Sequence, residues 1–170
     1  NSSGEVTFQG NCVPQANGLR QMDFSPVKAE GWYTLEVDGK KSRPFRIGRD
    51  AYIPAAWKTL NFFFSERCGF DVPGIHTECH MDVMSVHPDG RRLPVCGGWH
   101  DAGDLTQAAI NTAESVFAML ELAIAEREAQ PELSQRAKEE ARWGLNWLMR
   151  TRWGDGYRHN GTVIGFWSRS

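Results

Sequence analysis

Two aspartates, Asp101 and Asp104, stand three residues apart in the stretch Cys96-Gly97-Gly98-Trp99-His100-Asp101-Ala102-Gly103-Asp104-Leu105. They are the first candidates for chemistry in this chain. The glycines at 97, 98 and 103 permit positive φ and remove side-chain bulk, so the backbone can turn sharply and a ligand can come close. Loops that carry catalytic groups are often built like this. The same residues have a plainer use. Asp104 ahead of Leu105-Thr106-Gln107 reads as a helix N-cap with glutamine at the third helical position, a variant of the capping box worth ~0.5–2 kcal/mol. Capping leaves Asp101 unexplained, and the two uses are compatible because a capping aspartate is held rigidly.

A second grouping could bind metal. Cys68, the adjacent pair Cys79-His80, and His100 form a candidate Cys₂His₂ set, the ligand types of a closed tetrahedral zinc site. Their spacing is not that of a zinc finger, and a buried cysteine, a surface histidine and a Cys68–Cys79 disulfide would account for the same residues. Four cysteines allow two disulfides in three connectivities. Cys96 is a rival ligand or disulfide partner, Cys12 reads as a small buried apolar residue, and His76, His87 and His159 show no partner pattern.

These residues need elements to position them. Residues 1–49 read as strands: Glu5–Gln9 and Gly31–Asp38 alternate apolar and polar residues, Asp38-Gly39 is a turn signal, and Ser42–Ile47 resumes extended structure. That is three or four strands of an antiparallel sandwich, where an immunoglobulin-like domain needs about seven. From Asp50 the period becomes helical. Ile53, Trp57, Leu60 and Phe64 form one stripe, with Gly69 suited to a helix C-cap. A Gly-, Pro-, His- and Asp-rich loop over 69–98 is long for a compact domain and so reads as functional. A second helix is expected from Leu105 to about Ala129, with positions 105, 109, 113, 116, 120 and 123 inward. Gln130-Pro131 breaks it, a third helix follows from Leu133 to Arg150 with Ala137, Ala141, Leu145 and Leu148 inward, and Trp153–Tyr157 turns. Three amphipathic helices and a partial sandwich leave apolar faces uncovered, so the pattern is that of a segment of something longer.

Composition excludes little but points consistently. With 41% hydrophobic and 24% charged residues among 170, the chain is ordinary for a globular protein. A net charge of −2 gives no reason to expect nucleic acid as partner, and no apolar run is long enough for a transmembrane segment. Seven tryptophans suit stacking on sugar rings, although most tryptophans serve cores.

Several ordered motifs carry a resemblance: Met22–Ser25 with Gly31–Tyr33, Asn61–Phe64 through Arg67–Gly69, Cys79-His80, Gly97–Asp104, and Trp143–Leu148 followed by Gly154–Arg158. Through them the chain resembles glycoside hydrolase family 9, the inverting cellulase family, in its subgroup with an N-terminal immunoglobulin-like domain. The resemblance implies a partial immunoglobulin-like β-sandwich over 1–49 and the first helices of an (α/α)₆-barrel catalytic domain over 50–170. It implies hydrolysis of β-1,4-glucosidic bonds in a β-glucan polysaccharide or oligosaccharide, of the endoglucanase type, and an extracellular or periplasmic location.

By that resemblance Asp104 is the general base and Asp101 helps hold the attacking water. Inversion needs an acid and a base on opposite faces of the sugar, ~6.5–9.5 Å apart. Two aspartates in one turn must both serve the water side. The family's acid is a glutamate near the end of the catalytic domain, for which this chain has no matching motif; Glu78 is a weak substitute, and the segment alone is expected to be inactive. The resemblance also implies a structural zinc held by Cys68, Cys79, His80 and His100. A carbohydrate-binding module using Trp32, Tyr33, Trp153, Tyr157 and Trp167, or a zinc-stabilised structural module, is the alternative, but neither explains the paired aspartates.

Overall fold

A computed structural model describes residues 4–101, 103 and 105–162. The chain divides into two compact units, Asn1–Ala55 and Ala56–Ser170.

The first unit holds three two-stranded antiparallel sheets: β1 (Cys12–Pro14) with β2 (Arg20–Met22), β3 (Gly31–Tyr33) with β6 (Phe45–Ile47), and β4 (Glu36–Val37) with β5 (Lys40–Lys41). Asp38 and Gly39 both take positive φ, 52° and 74°, as a two-residue hairpin turn of the primed type requires. Phe45 meets Phe24 at 5.5 Å and Tyr33 at 6.5 Å between ring centroids. Two expectations change here. Glu5–Gln9 forms no strand, and Cys12 is half-buried rather than buried, because none of the described residues of this unit is buried and the pairs are short ribbons.

The second unit contains the core. It comprises helix α1 (Ile53–Ser65, which begins just before the division), hairpin β7 (Met84–Val86) and β8 (Arg92–Pro94), strand β9 (Gln107–Ala108), helices α2 (Ala109–Ala125) and α3 (Pro131–Arg150), and β10 (Gly161–Thr162) paired with β9. Pro131 opens α3, where its missing N–H costs nothing. Helices α2 and α3 pack on each other, and Ser134 Oγ donates to Ala123 O at 2.6 Å across their junction.

The buried faces are rotated from those expected. On α2 the inward residues are Ala109, Thr112, Val116, Met119 and Ala123, while Leu120 is exposed. On α3 they are Leu133, Ser134, Ala137, Glu140, Ala141, Gly144 and Trp147, while Leu145 is exposed. Gly144 explains the rotation of α3: a Cβ there would overlap the Trp99 ring and press on Val116, so the large ring from the 95–101 segment takes the space a side chain would occupy.

Three boundaries also move. Helix α1 ends at Ser65 rather than Cys68, because residues 66–68 turn away to pair with the segment around Trp99. The 69–98 stretch is no structureless loop, since it contains the β7–β8 hairpin. Helix α2 begins at Ala109, four residues later than expected, and its N-cap is Ala108 in extended conformation with no side-chain cap. Strand pairing with β10 claims Gln107 and Ala108, so the anticipated capping box does not form on this helix.

Candidate active site and metal centre

Helix α3 carries a ladder of donors and acceptors that grips residues 95–99. Trp147 Nε1 donates to Val95 O at 2.7 Å, Arg150 Nη2 to Cys96 O at 3.1 Å, and Trp143 Nε1 to Gly98 O at 3.0 Å. Glu140 accepts from Trp99 Nε1 at 2.8 Å. Positions 140, 143, 147 and 150 share one helix face, which is why a single helix can hold an extended segment at successive residues. On the other edge, Cys68 N–H donates to Gly98 O at 2.8 Å and His100 N–H to Glu66 O at 2.9 Å, with Arg67 and Trp99 bridged antiparallel.

Glu140 is the electrostatic anchor of this clamp. It is wholly buried, and its two oxygens accept from Arg67 at 3.0 and 2.9 Å and from Arg136 at 2.7 Å in addition to Trp99. The Arg67 guanidinium lies 4.6–5.3 Å from the ring centroids of Trp143, Phe64 and Phe70. A buried carboxylate with four charge-assisted or indole donors is satisfied, its arginines coming from the turn after α1 and from α3 and its indole from the 95–101 segment.

The clamp delivers Asp101 at its end. The Asp101 N–H donates to Thr106 O at 2.9 Å, and Leu105 has a left-handed φ of 56°. The exposed Asp101 carboxylate accepts at Oδ2 from Asn111 Nδ2 at 2.8 Å, from the first turn of α2. Asp104, the expected base, lies outside the described residues. Glu78 is exposed.

The four expected metal ligands do come together. Cys68, Cys79, His80 and His100 are all buried. Cys68 Sγ is 3.4 Å from His80 Nδ1 and 4.0 Å from Cys79 Sγ; Cys79 Sγ is 3.6 Å from His100 Nε2; and the two histidine nitrogens are 3.3 Å apart. A tetrahedral zinc with ordinary Zn–S and Zn–N lengths requires edges of about 3.8 Å between sulphurs, about 3.6 Å between sulphur and nitrogen and about 3.3 Å between nitrogens. The donor set therefore fits a metal ion.

Local features support that fit. His80 holds a left-handed φ of 58°, which turns its ring back beside the preceding Cys79. The Gly69 N–H donates to Cys79 Sγ at 3.4 Å, so the glycine expected to cap a helix instead serves the cluster. Within the thiol pair, the hydrogen bond from Cys68 first, and then His100, hold Cys79 toward the thiolate; the same bond and burial push Cys68 toward the thiol. Glu66 Oε2 lies 3.9 Å from His100 Nδ1, close enough for an ion pair but beyond hydrogen-bond reach. No disulfide links the four cysteines, and Cys96 stays half-buried outside the ligand set.

Comparison with known proteins settles the family. The model for glycosyl hydrolase family 9 matches residues 52–167. The chain belongs to glycosyl hydrolase family 9. A cellodextrinase of Butyrivibrio fibrisolvens is 35% identical over 69% of this chain, and endoglucanase C of Cellulomonas fimi is 28% identical over 87%. The chain spans 23% and 18% of the length of those two proteins. Among solved structures, a thermostable endoglucanase from Alicyclobacillus acidocaldarius (the D468A mutant) matches with a TM-score of 0.69 and 26% identity, covering 98% of this chain and 35% of that one. A Zn-binding triple mutant of the family 9 endoglucanase J30 matches with a TM-score of 0.64 and 28% identity, covering 94% and 36% respectively. The three helices and small sheets are thus part of the family 9 architecture, whose catalytic domain is an (α/α)₆ barrel.

Within this family 9 chain, sequence reasoning missed Glu140 and Asn111. Glu140 was detectable as a charge inside an apolar helical stripe; Asn111 had no signal beyond being polar on the first turn of a helix. A second cluster was missed as well. His87, Asp89 and Asp155 bring ligand-type atoms within 4.8 Å of one another. Arg91 already bridges it, bonding Asp89 at 2.8 Å and Asp155 through Nη2, while the His87 ring packs edge-on against Tyr157 at 4.7 Å and tilted against Trp153 at 5.2 Å.

Proposed function

We propose that this chain is part of an inverting β-1,4-glucan hydrolase of the endoglucanase type, acting on a β-glucan polysaccharide or oligosaccharide. The observation that carries the reading is Asp101: an exposed carboxylate held at one oxygen by Asn111 and mounted on a backbone clamped from both sides. A group so fixed can orient a water through its remaining oxygen with little reorganisation, which is what a preorganised site contributes. Asp104 then takes the water's proton as general base. The acid that protonates the leaving oxygen is a glutamate supplied from outside these residues, since both aspartates occupy the water side.

Cys68, Cys79, His80 and His100 hold zinc in this reading. Four protein ligands leave no open position, so the ion's contribution is to staple the 69–80 region to the segment bearing Asp101. Residues 1–49 form part of an immunoglobulin-like sandwich and 50–170 the start of the barrel. The protein works outside the cell or in the periplasm, where its polymeric substrate is.

The test is made in the full-length enzyme. Asp104→Asn should reduce hydrolysis of cello-oligosaccharides by at least about a hundredfold, the lower range for a lost general base, while binding is retained. The wild-type product should appear first as the α-anomer by NMR. Initial release of the β-anomer, or full activity of Asp104→Asn, would overturn the mechanism.

A further inference from the structure

All four candidate metal ligands are buried, yet one of them belongs to the wall of a cavity. The cavity, of about 490 Å³, lies between the end of α1 and residues 71–79, and Cys79 is among the residues that line it. A second cavity, between α1 and α2, touches none of the four. The first is acidic, since Glu66, Asp71 and Glu78 line it and no lysine or arginine does. Asp71 and Glu78 are exposed, and among the described residues neither is ion-paired with a lysine or arginine. Glu66 reaches the cluster itself, its carboxylate 3.9 Å from His100 Nδ1. Another part of the wall is a closed turn, in which Val72 N–H donates to His76 O at 2.9 Å and His76 N–H to Val72 O at 3.1 Å. His76 Nε2 lies 2.9 Å from Ser65 O, which ties that turn to the end of α1. The cavity is therefore shaped by bonded backbone, as preformed sites are.

We propose that this cavity is the port through which a divalent metal ion reaches the buried cluster, Asp71 and Glu78 drawing the cation in and Glu66 serving as the last carboxylate before His100. The proposal rests on the reading that the cluster binds zinc. Exposed carboxylates alone point to no ligand. Here they line a cavity that includes a ligand residue, beside four donors whose edges independently fit a tetrahedral ion. A close-packed interior has no gaps that admit a hydrated ion, so a site with four buried ligands needs an entry path. A cleft lined by one sign of charge raises the local concentration of counter-ions and speeds their arrival by ~10–10³-fold. Carboxylates also suit zinc less well than thiolate and imidazole do. They attract the ion at the mouth and give it up to the cluster.

The test uses the 170-residue chain and zinc alone. Zinc uptake by the metal-free chain is followed by stopped flow, with a chromophoric chelator reporting the free ion. The wild type is compared with Asp71→Asn/Glu78→Gln and with Glu128→Gln/Glu132→Gln, which removes the same charge from exposed positions outside the cavity. Glu66 is left in place because it also faces His100. The cavity variant should take up zinc about tenfold more slowly at low ionic strength, the lower end of the range for electrostatic steering. The gap should close in about 1 M salt, where the screening length falls to about 3 Å. Zinc replaces the thiol protons as it binds, so the charge of the site changes less than the charge of the arriving ion. Release should therefore slow as well, with equilibrium affinity staying within about threefold of wild type. The charge-keeping variant Asp71→Glu/Glu78→Asp should retain wild-type uptake, which guards against a change of shape. A wild-type rate in the neutral cavity variant, equal slowing in the Glu128/Glu132 control or in the charge-keeping variant, or a change confined to release overturns the proposal and leaves the zinc reading standing. A wild-type chain that takes up no zinc overturns both.

Discussion

Two groups of ligand-type side chains sit in the same unit, and they differ in what balances their charge. In the first, two thiols and two imidazoles are buried with edges close to those of a tetrahedral ion. In the second, His87, Asp89 and Asp155 are equally close together, but the two aspartates are exposed and the Arg91 guanidinium already lies among them. Proximity of donors is therefore a poor criterion for a metal site by itself. What separates the two is the donor set and its surroundings: in the second cluster Arg91 makes a neutralised surface knot that ties the β7–β8 hairpin to the Trp153–Tyr157 turn, whereas the first is a buried set of two thiols and two imidazoles at the edges of a tetrahedral ion.

The sharpest way to break this contrast is to remove a thiol. Cys79→Ser should abolish stoichiometric zinc uptake, measured by elemental analysis after gel filtration, and the chelator-induced drop in melting temperature expected of wild type should vanish. Retained zinc would mean that the metal sits elsewhere. In the wild type, added zinc should shift the ring resonances of His80 and His100 and leave those of His87 in place.

The next effect is on the clamp between the two clusters. Glu140→Ala strands Arg67 and Arg136 beside a buried gap and should destabilise the chain by about 3–5 kcal/mol in denaturant unfolding, as loss of one partner of a buried ion pair does. A loss below about 1 kcal/mol would show that the clamp does not depend on that charge.

The smallest effect belongs to the surface knot. Asp89 is held down to about 2, first by the Arg91 backbone N–H and further by the His87 and Arg91 side chains. Because its folded value lies below the ordinary 3.8, its contribution to stability is present above that value and is lost as pH falls through about 2. In Arg91→Ala the Asp89 midpoint, followed by carboxyl carbon NMR, should rise only part of the way to 3.8, since the backbone donor remains. A full return would make the side chain, and not the turn, the dominant cause.

Much of the site is legible in the sequence. The cysteine–histidine set is a grouping of ligand-type residues that the fold brings together, and the glycine-flanked aspartates are a local pattern open both to capping and to chemistry. Less legible is where α2 begins: Asp104 and Gln107 satisfy the local rule for a cap, yet pairing with Gly161 and Thr162 takes Gln107 and Ala108 into a strand. A local preference worth about 1 kcal/mol yields to a long-range pairing that also buries the chain. The inward face of α3 departs from its periodicity for a related reason, since Leu145 is the better apolar residue but Gly144 is where the Trp99 ring fits.

By itself the sequence determined the inventory: which ligands, which carboxylates, and which stretches have helical or extended periodicity. Tertiary structure decided their partners. It brought Cys68, Cys79, His80 and His100 to within 4.0 Å along the contacts described, set Glu140 against Trp99, Arg67 and Arg136, and gave Asp101 to Asn111. The reason is physical. Periodicity and turn chemistry act over a few residues, whereas charge balance and ring packing are set by groups up to 73 positions apart in the chain, which meet only once the core has formed.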